Sequence, residues 1–215
     1  MKSSISLEEQ DIMKQKNDIR NSISKDSETR PGVWDGHCLR NEAFRCVTVG
    51  IRRIRAKKIL QIGTYNGYTA LCLNKAIKNT EIWTVDYVPK EPGNYNVCID
   101  RFGHSRDENM KRHKNLKEHL KDKNINNIHL YIDGSDDFFK ENKETFDAII
   151  IHGDHAYEQA SKDLKNSLKC INKGGIIFMI PAKDKSGHTT ANVFDEYEGK
   201  KEYYECREGV GIIYA

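Results

Sequence analysis

Two rhythms of apolar residues alternate along this chain. Short runs rich in Ile, Val and Leu stand at Lys58 to Ile62, Ile82 to Asp86, Ile128 to Ile132, Phe146 to Ile151 and Ile176 to Ile180. Each has strand length, and Phe146 to Ile151 is nearly all apolar, as a central parallel strand buried on both faces must be. Between them, helical spacing appears at Leu39 to Ile54, after Gly67, at Ser105 to Lys123, Asp136 to Asn142, Ala156 to Cys170 and Ala191 to Tyr197. Asn172-Lys-Gly-Gly175 reads as the end of the helix before the fifth strand. Tyr203 to Cys206 and Val210 to Tyr214, joined around Glu208-Gly209, read as a terminal hairpin. Strands alternating with helices predict an α/β fold with a doubly wound, mostly parallel sheet, closed by that antiparallel hairpin.

Outside this alternation the pattern changes. Residues 1–30 are polar, with Ile5, Ile12, Ile19 and Ile23 permitting one amphipathic helix with a narrow apolar stripe. Such a helix could pack on the domain, pair with a second subunit in a homodimer, or fray. Arg30-Pro-Gly-Val-Trp34 interrupts it, so the chain divides into an extension over 1–30 and one domain over 31–215. A chain of 215 residues is long enough for one such domain and too short for two comfortable ones. Val88 to Ser105 holds Pro89, Pro92, Gly93 and Gly103 and reads mostly as a loop leaving the carboxyl end of the second strand.

Candidate chemistry gathers where strands end. After Ile62 the chain reads Gly63-Thr-Tyr-Asn-Gly67, and then a helix begins. Gly63 lets the chain turn where a Cβ would clash, and Gly67 allows close backbone approach to a ligand. Asp86 closes the second strand, where a carboxylate can accept the hydroxyls of a ribose. The spacing is Gly-x-x-x-Gly, not that of dinucleotide folds, and no Gly-Lys-Ser/Thr follows to hold a triphosphate. A ribose ligand without phosphates is favoured.

Composition narrows the function classes. Charged residues make up 31% of the chain and hydrophobic ones 37%, with a net charge of +3, too small to argue for nucleic acid. The lysines between Lys111 and Lys123 suit the solvated face of a helix. No apolar stretch approaches the ~20 residues of a membrane span, and the N-terminus lacks a signal peptide's apolar core, so a cytoplasmic protein is expected. The six cysteines are scattered without a Cys-x-x-Cys pair and read as reduced core or surface residues.

Three segments together resemble the class I S-adenosylmethionine-dependent methyltransferases, specifically the O-methyltransferase-like group called methyltransferase domain 24. They are Ile59-Leu-Gln-Ile-Gly-Thr-Tyr-Asn-Gly-Tyr-Thr69, Trp83-Thr-Val-Asp86, and Phe146 to Glu158 with Lys173-Gly-Gly-Ile-Ile177 behind it. The resemblance spans residues 30–215 and implies a Rossmann-like seven-stranded sheet with cofactor over strands one, two and four. It implies that Gly63, Thr64, Tyr65 and Gly67 wrap the methionine and ribose, that Asp86 binds ribose hydroxyls, that Tyr87 lies against adenine, and that Asp133, Gly134 and Ser135 flank it.

This chain departs from the group's pattern at several points. Gln61 replaces the usual acid, which alters a contact on the methionine side, and Asp133-Gly-Ser135 replaces Gly-Asp-Ser. Members that use a divalent cation carry an acid where this chain has His152 and another where it has Ile180-Pro181. Mg²⁺ prefers a shell of oxygen ligands, so no catalytic divalent metal is expected.

Methyl transfer to a hydroxyl needs in-line placement and a base. His152, at the end of the fourth strand, is the candidate base and also borders the cofactor; alternatively it only packs there and catalysis is positional. Asp154 and His155 match the group's Asp-His; they suit capping of the next helix and organising the loop, with His155 a secondary base candidate. The acceptor implied by analogy is a small polar or sugar-like metabolite. Trp34, Val88 to His104 and Pro181 to His188, with Tyr95, Arg101, Lys183, Lys185 and His188, would roof its pocket. A nucleic-acid acceptor is disfavoured, since no Asn-Pro-Pro-Tyr-type motif occurs. Two other readings stand beside this one. The changes at Gln61, His152 and Pro181 would also suit a non-catalytic cofactor-binding protein. His152-Gly-Asp154-His155 resembles a fragment of a binuclear metallohydrolase motif, with His37, His104 and His188 as further ligands, but Ile150 stands where that motif needs a histidine.

Overall fold

A computed structural model describes residues 39–88, 106–183 and 189–215. The 1–30 extension, Trp34, His37, Tyr95, Arg101, His104, Lys185 and His188 lie outside the described residues, as does most of the loop after Val88.

In chain order the elements are α1 (Asn41–Arg53), β1 (Lys58–Ile62), α2 (Tyr68–Ala76), β2 (Glu81–Asp86), α3 (Arg106–Asp122), β3 (Ile128–Ile132), α4 (Ser135–Glu141), β4 (Phe146–Ile151), α5 (Tyr157–Cys170), β5 (Ile171–Met179), α6 (Thr190–Glu196), β6 (Lys201–Tyr204) and β7 (Val210–Tyr214). The seven strands form one sheet in the order β3-β2-β1-β4-β5-β7-β6. Pairing is parallel from β3 through β5 and antiparallel at β5–β7 and β7–β6. The predicted doubly wound sheet with a closing hairpin is therefore what the chain forms.

Strand alternation sorts the core into two layers. Ile59, Ile82, Ala148, Ile150 and Phe178 meet one set of helices, α1 to α3, in a cluster that includes Phe44, Val47, Ile51, Tyr68, Leu73 and Leu116. Leu60, Ile62, Val85, Ile149, Ile151 and Met179 face the other set, α4 to α6, against Phe138, Leu164 and Phe194. β4 sits at the centre, and Ala148 to Ile151 are buried between the layers. Burying a side chain of that size stabilises by about 1.5–3 kcal/mol, so this apolar run anchors the middle of the sheet.

One boundary differs from the sequence expectation. Asn172-Lys-Gly-Gly175 does not separate helix from strand but is the first part of β5, which starts directly after Cys170. The register with β4 jumps from Phe146↔Ile171 to Ala148↔Ile176, a bulge. Asn172 donates to the Asp147 carboxylate at 2.8 Å, Gly174 N–H donates to the Ala215 carbonyl, and Ala215 N–H donates to that of Gly175. These polar residues are held by hydrogen bonds at an exposed end of the sheet, so no apolar signal marks them as strand.

The described cysteines Cys46, Cys72, Cys170 and Cys206 are free thiols, and burial pushes Cys46 up to about 12 and Cys170 to about 11. Among the described residues no helix is long and apolar enough to cross a membrane.

Candidate active site

Strand order reverses between β1 and β4, since the chain winds outward to β3 in one direction and to β5 in the other. In open α/β sheets the crevice at the carboxyl ends of such a pair is where ligands bind. Backbone bonds continue across that edge: Gly63 N–H to Val85 O at 2.8 Å, His152 N–H to Ile62 O at 3.0 Å and Ile180 N–H to Ile151 O at 3.0 Å. The residues that follow the strands thus emerge side by side.

The loop after β1 is built by its two glycines. Gly63 has φ +95°, and a Cβ there would collide with the His152 carbonyl, so the β1 and β4 ends can close together only with glycine at this position. Gly67 has φ +79°, and its missing Cβ leaves room for Leu116 of α3, whose methyl carbons would lie 2.5 Å from such an atom. The approach Gly67 permits in this structure is that of a helix. Between them, Thr64 Oγ1 shares a 2.7 Å hydrogen bond with Thr84 Oγ1, and Tyr65 N–H donates to Asp86 Oδ2 at 2.9 Å. Gln61 is buried, donates through Nε2 to the Gly63 carbonyl at 2.6 Å, and leaves Oε1 without a hydrogen-bond partner. An acid at this position could not donate that bond unless protonated, so glutamine fixes the loop that a carboxylate would repel.

Asp86 receives a second donor at the same oxygen. His113 of α3 is 1% exposed and places Nε2 2.9 Å from Asp86 Oδ2. The Arg112 guanidinium lies 4.4 Å from the centre of the Tyr65 ring. Sequence reasoning treated α3 as a solvated helix and missed both residues. A signal was present: Asn109, His113, Leu116 and Leu120 form the one buried stripe on a helix otherwise covered in charge, so its two uncharged polar members had to face inward.

Past the end of β2, Tyr87 is 55% exposed and its ring is the nearest neighbour of Gly134, 3.6 Å from where a Cβ would stand. Asp133 Oδ1 accepts the Gly134 N–H at 3.0 Å. The Ser135 hydroxyl turns beneath the site and donates to Asp163 Oδ1 at 2.6 Å, which Gln159 also reaches at 3.1 Å. Burial pushes the Asp163 carboxyl up to about 6, with the charges of Asp136 and Asp154 acting in the same direction and the two hydrogen bonds opposing them.

At the β4 end, the rings of His152 and His155 lie 5.6 Å apart, so the two candidate bases share one side of the crevice. Asp154 does not cap α5 as expected. The N-cap residue is Ala156, without a side-chain cap, and Asp154 Oδ1 instead accepts the Ala156 N–H at 3.0 Å, tightening the turn before the helix. The His155 carbonyl accepts the Thr189 N–H at 3.1 Å and both the Thr189 and Thr190 hydroxyls, tying this loop to the start of α6. Among the described residues no three His, Cys, Asp or Glu side chains gather as a metal site, and His37, His104 and His188 lie outside them.

The fold is shared with known structures. A Staphylococcus aureus protein provisionally named a caffeoyl-CoA O-methyltransferase matches with a TM-score of 0.66 at 14% identity, over 97% of this chain and 99% of that one. The methyltransferase PaMTH1 of Podospora anserina matches at 0.62 and 15%, over 95% and 87% of the two chains. An O-methyltransferase from Bacillus cereus matches at 0.58 and 11%, over 100% and 93%. No curated protein sequence matches. Likeness at such low identity establishes the fold. A family comparison goes further: a methyltransferase domain matches residues 60–179, from β1 through β5 and most of the chain. The resemblance carried by the three sequence segments is thus borne out, and this chain belongs to the methyltransferase domain family, on the class I S-adenosylmethionine-dependent fold.

Proposed function

We propose that this protein transfers the methyl group of S-adenosylmethionine to an oxygen of a small polar or sugar-like metabolite, without a divalent metal. The observation that carries the cofactor assignment is the β1–β2 edge. Asp86 Oδ1 takes no bond from the described residues while Oδ2 is fully engaged, and no cationic side chain stands in the Gly63–Gly67 loop. A nucleoside with free ribose hydroxyls and no phosphates fits that donor set. The buried, unpartnered Gln61 Oε1 supplies an acceptor suited to an ammonium group. The P. anserina and B. cereus structures were solved with S-adenosylhomocysteine, which supports the same ligand here.

When bound, S-adenosylmethionine supplies a methyl group made electrophilic by its sulfonium. The chain's own contribution is placement and proton removal. Asp86 and the Gly63–Gly67 loop hold the nucleoside, Tyr87 offers an exposed ring to the adenine, and His152 takes the acceptor's hydroxyl proton as general base. His155 borders the same space. A hard cation has little to bind at this end of the sheet, where His152 follows β4 and Pro181 follows β5 in place of acids.

Calorimetric titration with S-adenosylmethionine and S-adenosylhomocysteine, each with EDTA and with Mg²⁺, tests this reading. We expect metal-independent binding of both ligands, followed by methyl transfer to a hydroxylated acceptor in EDTA. Binding without turnover of any acceptor would leave a non-catalytic cofactor-binding protein, and no binding at all would overturn the site.

A further inference from the structure

Three residues of α3 touch the Gly63–Gly67 loop and the Asp86 beside it. Arg112 covers the Tyr65 ring, His113 meets Asp86, and Leu116 fills the space beside Gly67. Of these contacts, that of His113 is the most demanding. The ring is buried, and Nδ1 finds no hydrogen-bond partner among the described residues. An ionised carboxylate only accepts, so the 2.9 Å contact requires the proton on Nε2. Nδ1 is then left without a partner in the core, a cost on the order of 1–3 kcal/mol that an apolar side chain would avoid.

The bond also changes what Asp86 can do. Oδ2 has two in-plane lone pairs, and Tyr65 N–H and His113 Nε2–H occupy both, each at 2.9 Å. Only Oδ1 remains. We propose that His113 is a positioning residue that locks Asp86 by one oxygen and so presents a single carboxylate oxygen to the ribose diol. This rests on the reading that Asp86 receives the ribose. A diol sharing both lone pairs of Oδ1 would lose alike from either hydroxyl; the proposed arrangement has one hydroxyl on Oδ1 in a charge-assisted hydrogen bond and the other met elsewhere or by water.

The test is calorimetric titration of the full chain with S-adenosylhomocysteine and with its 2′-deoxy and 3′-deoxy forms. For the wild type we expect loss of one hydroxyl to weaken binding about tenfold or more and loss of the other by less than about threefold. Comparable losses for the two would overturn the single-oxygen arrangement. His113→Leu, which removes the donor, should weaken S-adenosylhomocysteine about tenfold, whereas His113→Gln, whose amide N–H can reach the place of Nε2, should stay within about threefold. A purely structural role would not be rescued by glutamine in this way. In an Asp86→Asn background the His113→Leu effect should shrink below about threefold, because it acts through the carboxylate. If Asp86→Asn binds as the wild type does, the ribose reading itself fails. If Asp86→Asn weakens binding and His113→Leu does not, only the role of His113 is overturned. The deoxy comparison and the glutamine variant decide the matter even where the leucine variant does not fold.

Discussion

The two sides of the crevice are built on opposite plans. Along β1 and β2, backbone and buried side chains define the site: Gly63 against the His152 carbonyl, Thr64 on Thr84, Tyr65 N–H and His113 on Asp86. Along β4 and β5, the prominent features are the imidazoles of His152 and His155 and the proline after Ile180. The first side is fixed in shape, because its geometry follows from strand ends and glycines. The second holds the groups that can change chemistry without disturbing the sheet. A transferase needs that division, since the methyl donor is constant and the acceptor is what differs between enzymes.

The largest expected effect tests whether the sides separate at all. His152→Ala should lower turnover by 10²–10⁴-fold, the usual contribution of a general base, while S-adenosylmethionine affinity stays within a few fold. Retained turnover would make the β4 side positional too and erase the contrast. Gly63→Ala should cost about 3 kcal/mol in urea unfolding, since it adds both a collision with the His152 backbone and an unfavourable φ; a neutral outcome would mean the strand ends are not locked together. Asp86→Ala should weaken cofactor binding about thirtyfold, near 2 kcal/mol, by removing a charged acceptor, with little change in acceptor KM.

The smallest effect concerns the layer beneath both sides. Asp163 has a folded-state pKa near 6 against 3.8 for the free group. The folded protein therefore holds this proton more tightly than the unfolded chain. Its stabilising contribution is complete below the unfolded value and is lost as pH rises through about 6. Asp163→Asn keeps an acceptor for Ser135 and Gln159 and cannot ionise. Its stability relative to wild type should improve by about 1–2 kcal/mol between about pH 4 and about pH 7 in urea titrations. An unchanged difference across that window would remove Asp163 from the pH response.

The fold was legible wherever burial wrote itself into apolar spacing. β1, β3 and β4 begin and end where the Ile- and Leu-rich runs do, and the helices agree within a residue or two. The start of β5 was not legible, because Asn172 to Gly175 are held by polar contacts with Asp147 and Ala215, which composition does not announce. At the site, Gly63 and Asp86 could be read from their places at strand ends. His113 and Asp163 could not be assigned a partner, since each lies 27 or 28 residues from the group it meets and only the folded sheet brings them together.

The order of the last three strands has a consequence for how the protein is born. β7 lies between β5 and β6, so among the described strands β6 has none to pair with until Val210–Tyr214 has been made. A nascent chain on the ribosome can assemble the parallel half early, yet β5 must wait as an uncovered, adhesive edge until β7 has emerged. Removing only Val210–Tyr214 would leave that edge permanently bare and β6 unmoored. Folding of the antiparallel edge therefore hinges on the synthesis of β7, and copies that stop short of it are the ones that chaperones would have to hold.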